Sequence, residues 1–160
     1  MPVAEQEIRP ALDPDLRDIT RLWRDLVGYH EALGGQNFRL TPGADRDWRN
    51  FLGGHIGQEE KLCLVASVGG TIVGFLLGSV KERPGVFMER AYGHISDIYV
   101  DAAHRRKGVG KALVEEAVRW FGAKRLGRVR LQTDARNLLG LDFWRSLGFE
   151  TTSHTMDKLL

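Results

Sequence analysis

The chain is 160 residues long, with 42% hydrophobic and 28% charged residues and a formal net charge of +2. This length and composition predict one globular domain, residues 1–160, with a sizeable core. The small net charge excludes a strong general attraction to nucleic acid or anionic membranes, and no apolar run approaches the ~20 residues that span a bilayer. We therefore expect neither nucleic acid nor membrane among its partners.

The cysteine content and the start of the chain predict a cytoplasmic protein. Cys63 is the only cysteine, so an internal disulfide is excluded, which is typical of a reducing compartment. It lies in the apolar run 62–66 and is expected to be a buried packing residue rather than a nucleophile. Residues 1–7 are polar and acidic and do not resemble a signal peptide. Nothing in the sequence leads us to expect a metal ion.

The first half of the chain predicts two helices and three strands. Asp13 is expected to cap the first helix, with Pro14 at its first position. Gly69 and Gly70 are expected to form the tight turn of a hairpin. In chain order, the predicted elements are a strand at 7–11, helices at 13–33 and 45–56, and strands at 62–68 and 71–81.

The second half alternates strands with helices after a charged loop at 82–92. The predicted elements are a strand at 93–100, a helix at 108–121, a strand at 128–134, a helix at 138–147 and a strand at 149–158. Interleaved helices and strands indicate the α/β or α+β class, built around one mixed sheet.

The stretch from strand 93–100 into helix 108–121 suggests an anion site. A helix N-terminus carries unpaired N–H groups and a partial positive charge, and Gly108 and Gly110 let a phosphate approach the backbone. The basic residues 105–107 add full charges. A pyrophosphate or similar polyanion would suit this turn; the alternative is a plain turn into a surface helix. The pattern is neither a Walker A loop nor a complete G-x-G-x-x-G motif.

Two motifs resemble the GNAT N-acetyltransferase superfamily. Arg105-Arg-Lys-Gly-Val-Gly110 matches its Arg/Gln-x-x-Gly-x-Gly/Ala signature, and Asp97-Ile-Tyr-Val-Asp101 is similar to its fourth strand. Asn137-Leu-Leu-Gly-Leu-Asp-Phe-Trp-Arg-Ser-Leu-Gly-Phe149 resembles its Asn-x-x-Ala-x-x-Phe-Tyr-x-x-x-Gly-Phe motif. The resemblance covers residues 60–155 well and implies a single GNAT-like α/β (α+β) domain. Its twisted, mixed, mostly antiparallel sheet would have six or seven strands and about four flanking helices.

The resemblance implies that acetyl-CoA is the cosubstrate and that its pyrophosphate is the anion. The main chain of Ile98 and Val100 would face the pantetheine arm, Asn137 would bind its amides, and Phe143 would pack on it. A bulky residue at Gly110 should then weaken cofactor binding by about tenfold or more. The positions matched to cofactor binding are Ile98, Tyr99, Val100, Arg105, Arg106, Lys107, Gly108, Val109, Gly110, Lys111, Asn137 and Phe143.

Transfer to an amine needs a group that takes its proton, because an amine with a pKa near ~10 is protonated at neutral pH. The family often uses a Glu at the position of Ser96, so the neighbouring Asp97 is the best candidate for the base. Glu89 and His94 are the next candidates, and Asp97 could equally be a solvated strand residue. The N–H of Ile98 would stabilise the oxyanion.

Trp144 stands where the family commonly has a Tyr that protonates the departing thiolate. An indole N–H donates a hydrogen bond but does not release its proton near neutral pH. The thiolate could therefore leave with hydrogen-bond help alone, Tyr99 could serve as the acid, or the protein could bind the cofactor with little chemistry.

The resemblance thus implies an enzyme, an N-acetyltransferase that moves the acetyl group of acetyl-CoA to a primary amine of a small molecule or peptide. A CoA-binding sensor without transferase activity is the alternative, and a nucleic-acid-binding domain using Arg105, Arg106, Arg128 and Arg130 is a third. The family also implies a possible homodimer. The segment that would border the acceptor carries Tyr29, His30, Glu31, Asn37, Phe38 and Arg39, and it does not identify the acceptor.

Overall fold

The computed structural model describes residues 5–160, without the side chain of Gln36. Strands β1 to β5 are Gln6–Pro10, Lys61–Val68, Thr71–Glu82, Ala91–Val100 and Val129–Leu131. Helices α1 to α4 are Leu16–Ala32, Ala44–Gly53, Val109–Ala123 and Leu138–Ser146. The strands lie in the order β1-β2-β3-β4-β5, with β4 and β5 parallel and all other neighbours antiparallel. The predicted α/β class and the mixed, mostly antiparallel sheet are confirmed.

The sheet separates two hydrophobic cores. Helices α1 and α2 cover one face, where Leu22 and Leu52 pack with Phe75 of β3. Helix α3 covers the other face, where Leu113 and Phe121 pack on β2, β3 and β4. Both sides of β2 and β3 are therefore buried, which explains why their sequences are almost continuously apolar.

Cys63 is a packing residue of the first core, as predicted. It is 6% exposed, and burial raises the pKa of its thiol to about 12. The thiolate form that reacts as a nucleophile is therefore disfavoured at neutral pH.

The entry into α1 differs from the prediction that Asp13 caps the helix. Residues 13–15 form a 3-10 turn, and it is the carboxylate of Asp15 that accepts the Leu12 N–H, at 2.8 Å. Arg9 of β1 donates two hydrogen bonds to the same carboxylate, at 2.7 and 3.0 Å. Asp15 can satisfy both partners because it is buried beside β1, whereas Asp13 is exposed.

The end of the chain carries no strand, so the prediction of a strand at 149–158 is wrong, and the described sheet has five strands rather than six or seven. Phe149 packs on the second core, but residues 150–160 are exposed. Polar residues dominate this segment, so it has no apolar face to bury against the sheet. β5 is also shorter than predicted, because it pairs with β4 only at 93–95.

The predicted hairpin is present, and Gly69 and Gly70 both have the positive φ, 57° and 81°, that a two-residue turn requires. We expected residues 1–7 not to be a signal peptide. Four of these residues, 1–4, lie outside the described residues.

Candidate functional site

A β-bulge in β4 changes which side chains face each core. Ile95 and Asp97 are paired with adjacent residues of β3, so Ser96 is an extra residue. As a result, Ile95 and Ile98 both pack in the core beneath α3. Tyr99 packs on the side of α1 and α2, and strand alternation places Asp97 on that side as well.

The bulge also directs the backbone of the last β4 residues. The N–H of Asp101 donates to the carbonyl of Val73 in β3, at 2.8 Å. Main-chain groups point to alternate edges of a strand, so those of Ile98 and Val100 point away from β3, to the other edge of β4. Because β5 pairs with β4 only at 93–95, that edge is not covered by β5.

The two strands separate beyond this pairing, and a cleft of about 1310 Å³ opens between them. Its walls are β4, the chain after β5, α1, residues 37–40, the turn before α3, and α4. The predicted site residues that line it are Asp97, Ile98, Tyr99, Val100, Arg105, Arg106, Gly108, Gly110, Lys111, Asn137, Phe143 and Trp144. Two others do not: Val109 is buried in the core, and the Lys107 ammonium donates to the Ala103 carbonyl at 2.9 Å.

The turn before α3 presents unpaired backbone donors. Arg106 and Gly108 both have positive φ, 58° and 84°, which is uncommon for a residue with a side chain. Within the part of the chain that the structure describes, the N–H groups of 106–111 donate to no other backbone group. Left-handed residues in such a turn direct successive N–H groups to one side, and the helix N-terminus adds partial positive charge. The turn can therefore hold an anion.

Gly110 has a local role that differs from the expected one. A Cβ at this position would lie 3.3 Å from the ring of Phe143 and 3.8 Å from Val100. The absence of a side chain therefore lets α3 pack closely on α4. The expected role was to leave space for a phosphate at the start of the helix. At Gly108, a Cβ would meet nothing within 4 Å, so the constraint there is the positive φ.

Arg105 joins the turn to β4 rather than extending into the cleft as a free charge. Its Nε donates to the Val100 carbonyl at 2.9 Å. Its guanidinium lies over the rings of Tyr99 and Tyr29, 5.1 and 5.8 Å from their centroids. The main-chain carbonyl of Val100 is thus occupied, while that of Ile98 remains on the open edge.

Two contacts that the sequence did not predict connect α1 and the turn after it with the residues just before α4. The Asn137 side-chain oxygen accepts from the Gly140 N–H and from the Tyr29 hydroxyl, each at 2.9 Å. The guanidinium of Arg136 donates to the Gly34 carbonyl at 2.9 Å. The first of these leaves the NH₂ of Asn137 as the group free to donate. Both contacts hold the two sides of the cleft together.

The carboxyl of Asp97 lies in the cleft with its pKa above the ordinary value. Burial is the main cause; a hydrogen bond from Ser96 and the charges of His30, His55 and His94 act in the opposite direction. A higher pKa makes the carboxylate a stronger base.

The other two candidates for the base lie outside the cleft. Glu89 accepts hydrogen bonds from Arg83 at 3.1 Å and Arg128 at 2.8 Å. The Arg128 hydrogen bond is the main reason that its pKa is below the ordinary value. His94 is on β4 before the bulge, and burial lowers the pKa of its imidazole.

Tyr99 and Trp144 both line the cleft, from opposite faces of the sheet. Burial raises the pKa of the Tyr99 hydroxyl, so the phenol holds its proton more firmly. Trp144 is 8% exposed and packs edge-on against Phe143 and Phe149, with ring centroids 5.0 and 5.1 Å apart. The indole is thus also a core residue.

Residues 19–149 match the sequence model of the Acetyltransferase (GNAT) family. The chain belongs to the GNAT acetyltransferase family. The match includes both motifs on which the resemblance rested, the turn at 105–110 and the segment 137–149.

Individual GNAT relatives are similar over different lengths. The chain is 32% identical over 89 residues to N-alpha-acetyltransferase 30 from Xenopus laevis, covering 56% of this chain and 32% of that protein. It therefore spans about a third of this relative. It is 25% identical over 148 residues to streptothricin acetyltransferase from Escherichia coli, covering 92% of this chain and 78% of that protein.

Solved structures share the fold. A tetramutant of the BH1408 protein from Bacillus halodurans has a TM-score of 0.86 at 23% identity, covering 96% of this chain and 99% of that one. The aminoglycoside N-acetyltransferase AAC(6')-Iy in complex with CoA has a TM-score of 0.80 at 18% identity, covering 98% and 95%. Both solved structures thus share the fold of this chain, and the second of them was solved in complex with CoA.

The sequence did not single out the apolar wall of the cleft. Trp23, Leu26 and Val27 line the cleft from α1, and their helical spacing indicated only a core-facing stripe. Of the segment expected to border the acceptor, Glu31 does not line the cleft, while Tyr29, His30, Asn37, Phe38 and Arg39 do.

Within residues 5–160, no three His, Cys, Asp or Glu side chains lie together as metal ligands would. None of the helices in the same range has the length and apolar character needed to cross a membrane.

Proposed function

We propose that this GNAT protein is an N-acetyltransferase that moves the acetyl group of acetyl-CoA to a primary amine of a small molecule or peptide. One observation carries the proposal. The unpaired N–H groups before α3, the open edge of β4 and the carboxyl of Asp97 all border the same cleft. An anion site, a polar strand edge and a base are the parts that such a transfer requires.

The residues of the cleft fit CoA. The backbone N–H groups of 106–111 would hold its pyrophosphate, with Arg106 and Lys111 adding charge. The main chain of Ile98 would pair with the pantetheine arm, and the NH₂ of Asn137 would donate to an amide carbonyl of that arm. Phe143 would pack on it from α4. When bound, acetyl-CoA supplies an activated acyl group as a thioester.

Asp97 would take a proton from the acceptor, directly or through a water. A primary ammonium must lose one proton before its nitrogen can attack the acetyl carbon. The raised pKa of the Asp97 carboxyl suits this residue to accepting that proton. The N–H of Ile98, on the uncovered edge of β4, would donate to the oxygen on which charge develops. The C–N bond forms, the C–S bond breaks with its electron pair on the thiolate sulfur, and the second amine proton passes to solvent.

The departing thiolate would leave with hydrogen-bond help. Neither side chain named for this step releases a proton easily, because Trp144 carries an indole and burial raises the pKa of Tyr99. A thiol is itself fairly acidic, with a pKa of about 8.5 for free cysteine, so full protonation during departure is not required. We therefore assign Tyr99 and Trp144 to positioning and hydrogen bonding.

The experiment that tests the proposal is calorimetric titration with acetyl-CoA, free CoA and ADP, followed by a thiol-release assay with an amine panel. We expect saturable binding, with acetyl-CoA well ahead of ADP, and transfer to at least one amine. Absence of binding by all three would contradict the cofactor site.

A CoA-binding sensor is the second candidate, and the core position of Trp144 favours it, since this residue replaces the usual acid. Saturable acetyl-CoA binding without thiol release for any amine would support the sensor over the transferase.

We also propose a homodimer without nucleic acid as a partner. Val86 and Met88, 86% and 100% exposed, form an apolar tip on the β3–β4 loop that a second copy could cover. Of the arginines considered for nucleic acid, Arg128 is paired with Glu89 and Arg130 lies over Tyr92. Light scattering measures whether the protein is a dimer. RNA or DNA binding with a steep salt dependence would contradict the proposal that nucleic acid is not a partner. The cytoplasmic location stays a prediction.

A further inference from the structure

The cleft differs in chemistry between its two ends. The end at α3 carries backbone donors and basic side chains, which suit an anion. The other end, between α1 and residues 37–40, is mostly apolar. Its apolar lining residues are Trp23, Leu26, Val27, Phe38 and Leu40.

The carboxyl groups of the cleft are unequal. Asp97, Asp134 and Asp142 line it. Arg136 donates to Asp134 from Nε at 2.9 Å and Nη2 at 2.6 Å, and Arg145 lies 3.9 Å from Asp142. Among the described residues that line the cleft, Asp97 is thus the one carboxyl that is not in an ion pair with an arginine.

His30 also lines the cleft at the apolar end. Its ring is stacked on Phe38, with centroids 4.8 Å apart and planes at 14°, and Nδ1 is buried without a hydrogen-bond partner. Burial lowers the pKa of the imidazole, while the charges of Asp134 and Asp97 act in the opposite direction. A lowered pKa favours the neutral form of the ring, which can lie beside a cation without repelling it.

We propose that the acceptor is a monocationic amine on an aromatic or aliphatic body, with its ammonium between Asp97 and His30. The apolar body would lie on Phe38 and Leu26. This inference rests on the proposed transferase function and specifies its substrate class. One ammonium would pair its single charge with the one cleft carboxylate that no arginine holds, beside the ring of His30.

A polycationic acceptor does not fit this end of the cleft. A further ammonium at this end would face the apolar wall or Arg39, which is itself cationic, and the other two cleft carboxylates are already paired with arginines. Moving an unpaired ammonium from water onto such a surface is costly. The site therefore selects against aminoglycosides and polyamines.

Calorimetry with the CoA-saturated protein tests this without depending on turnover. Phenethylamine is the monocationic probe, and neamine and spermidine are the polycationic ones. We expect phenethylamine to bind at least about tenfold more tightly than either. A dipeptide amide that begins with phenylalanine distinguishes a free amine from a peptide N-terminus as the source of the same chemistry.

Two variants and a matched control locate the binding. Phe38→Ala and His30→Phe should each weaken phenethylamine binding about tenfold, with CoA affinity unchanged. Phe87→Ala removes a phenyl ring from the β3–β4 loop, outside the cleft, and should leave both affinities as they are.

Tighter binding of neamine or spermidine, absent phenethylamine binding, or equal effects of Phe38→Ala and Phe87→Ala would overturn the inference. Phenethylamine binding without any acetylated product would instead count against the transferase function alone.

Discussion

Asp97 is the residue on which the proposed chemistry depends most. We expect Asp97→Asn to lower kcat by about 10²–10⁴-fold while the Kd for acetyl-CoA stays the same, because the amide cannot take the proton of the amine. Steady-state kinetics and calorimetry measure the two quantities. Glu89→Gln is the matched control, since Glu89 is held by Arg83 and Arg128 outside the cleft. Equal losses of kcat in both variants would show that Asp97 is not the base.

The same carboxyl should give the stability of the protein a characteristic pH dependence. The pKa of Asp97 is raised in the folded state above its unfolded value of about 3.9. At a pH between these two values, the folded protein therefore binds more protons than the unfolded chain. Its contribution to stability is therefore complete below the unfolded pKa and is lost as pH rises through the folded pKa.

We expect Asp97→Asn to have a larger free energy of unfolding than the wild type at pH 7 to 8, because the amide is not charged there. The difference should close as the pH falls below about 4, where the wild-type carboxyl is protonated in both states. Urea unfolding of both proteins across this pH range measures it. A difference that does not vary with pH would contradict a raised pKa.

At the scale of single elements, the start of α1 depends on Asp15. Asp15→Asn should lower the free energy of unfolding by about 1.5–3 kcal/mol, because charge-assisted hydrogen bonds from Arg9 are lost at a buried position. Urea unfolding at pH 7 measures the change. Asp13→Asn, at the exposed residue that the sequence suggested as the cap, should have little effect.

The Asp15 contribution should also depend on pH. The pKa of Asp15 is lowered in the folded state, chiefly by the Arg9 hydrogen bond, so its stabilisation is present above about 3.9 and lost as pH falls through the folded value. Wild type and Asp15→Asn should therefore become similar in strong acid.

The contact between α3 and α4 gives the prediction for Gly110. Gly110→Val should raise the Kd for acetyl-CoA by about tenfold or more, because the new side chain displaces the ring of Phe143 at 3.3 Å. Calorimetry measures the affinity, and circular dichroism checks that the variant folds. Gly122→Val is the control, since a Cβ at this α3 position meets nothing within 4 Å and Gly122 does not line the cleft. Unchanged affinity in a folded Gly110→Val protein would contradict the assignment of this turn to the cofactor.

At the scale of the whole molecule, the hydroxyl of Tyr29 joins parts of the chain that are 108 residues apart in sequence. Tyr29→Phe should weaken acetyl-CoA binding about fivefold and lower the free energy of unfolding by about 1 kcal/mol, since one partly buried hydrogen bond to Asn137 is lost. Calorimetry and urea unfolding measure these effects. Tyr92→Phe, outside the cleft, is the matched control. If both variants behave alike, Tyr29 does not position Asn137.

The elements with strong local signals were predictable. Gly69 and Gly70 require a turn with positive φ, and the helical stripes of α1 and α3 have apolar faces that identify them without any tertiary information. The strand expected at 149–158 failed because a strand depends on a partner, and alternation of residues along a sequence does not show whether one exists.

By itself, the sequence determined the class of the fold, the turn at 105–110 and the motif at 137–149, because glycine conformations and apolar spacing are local properties. Only the tertiary structure decided which candidate base lies in the cleft. The bulge at Ser96 places Asp97 on the face of the sheet that α1 and α2 cover, and burial there raises its pKa. Register and burial arise from contacts between distant segments, so Asp97, Glu89 and His94 could be distinguished only once the strands were paired.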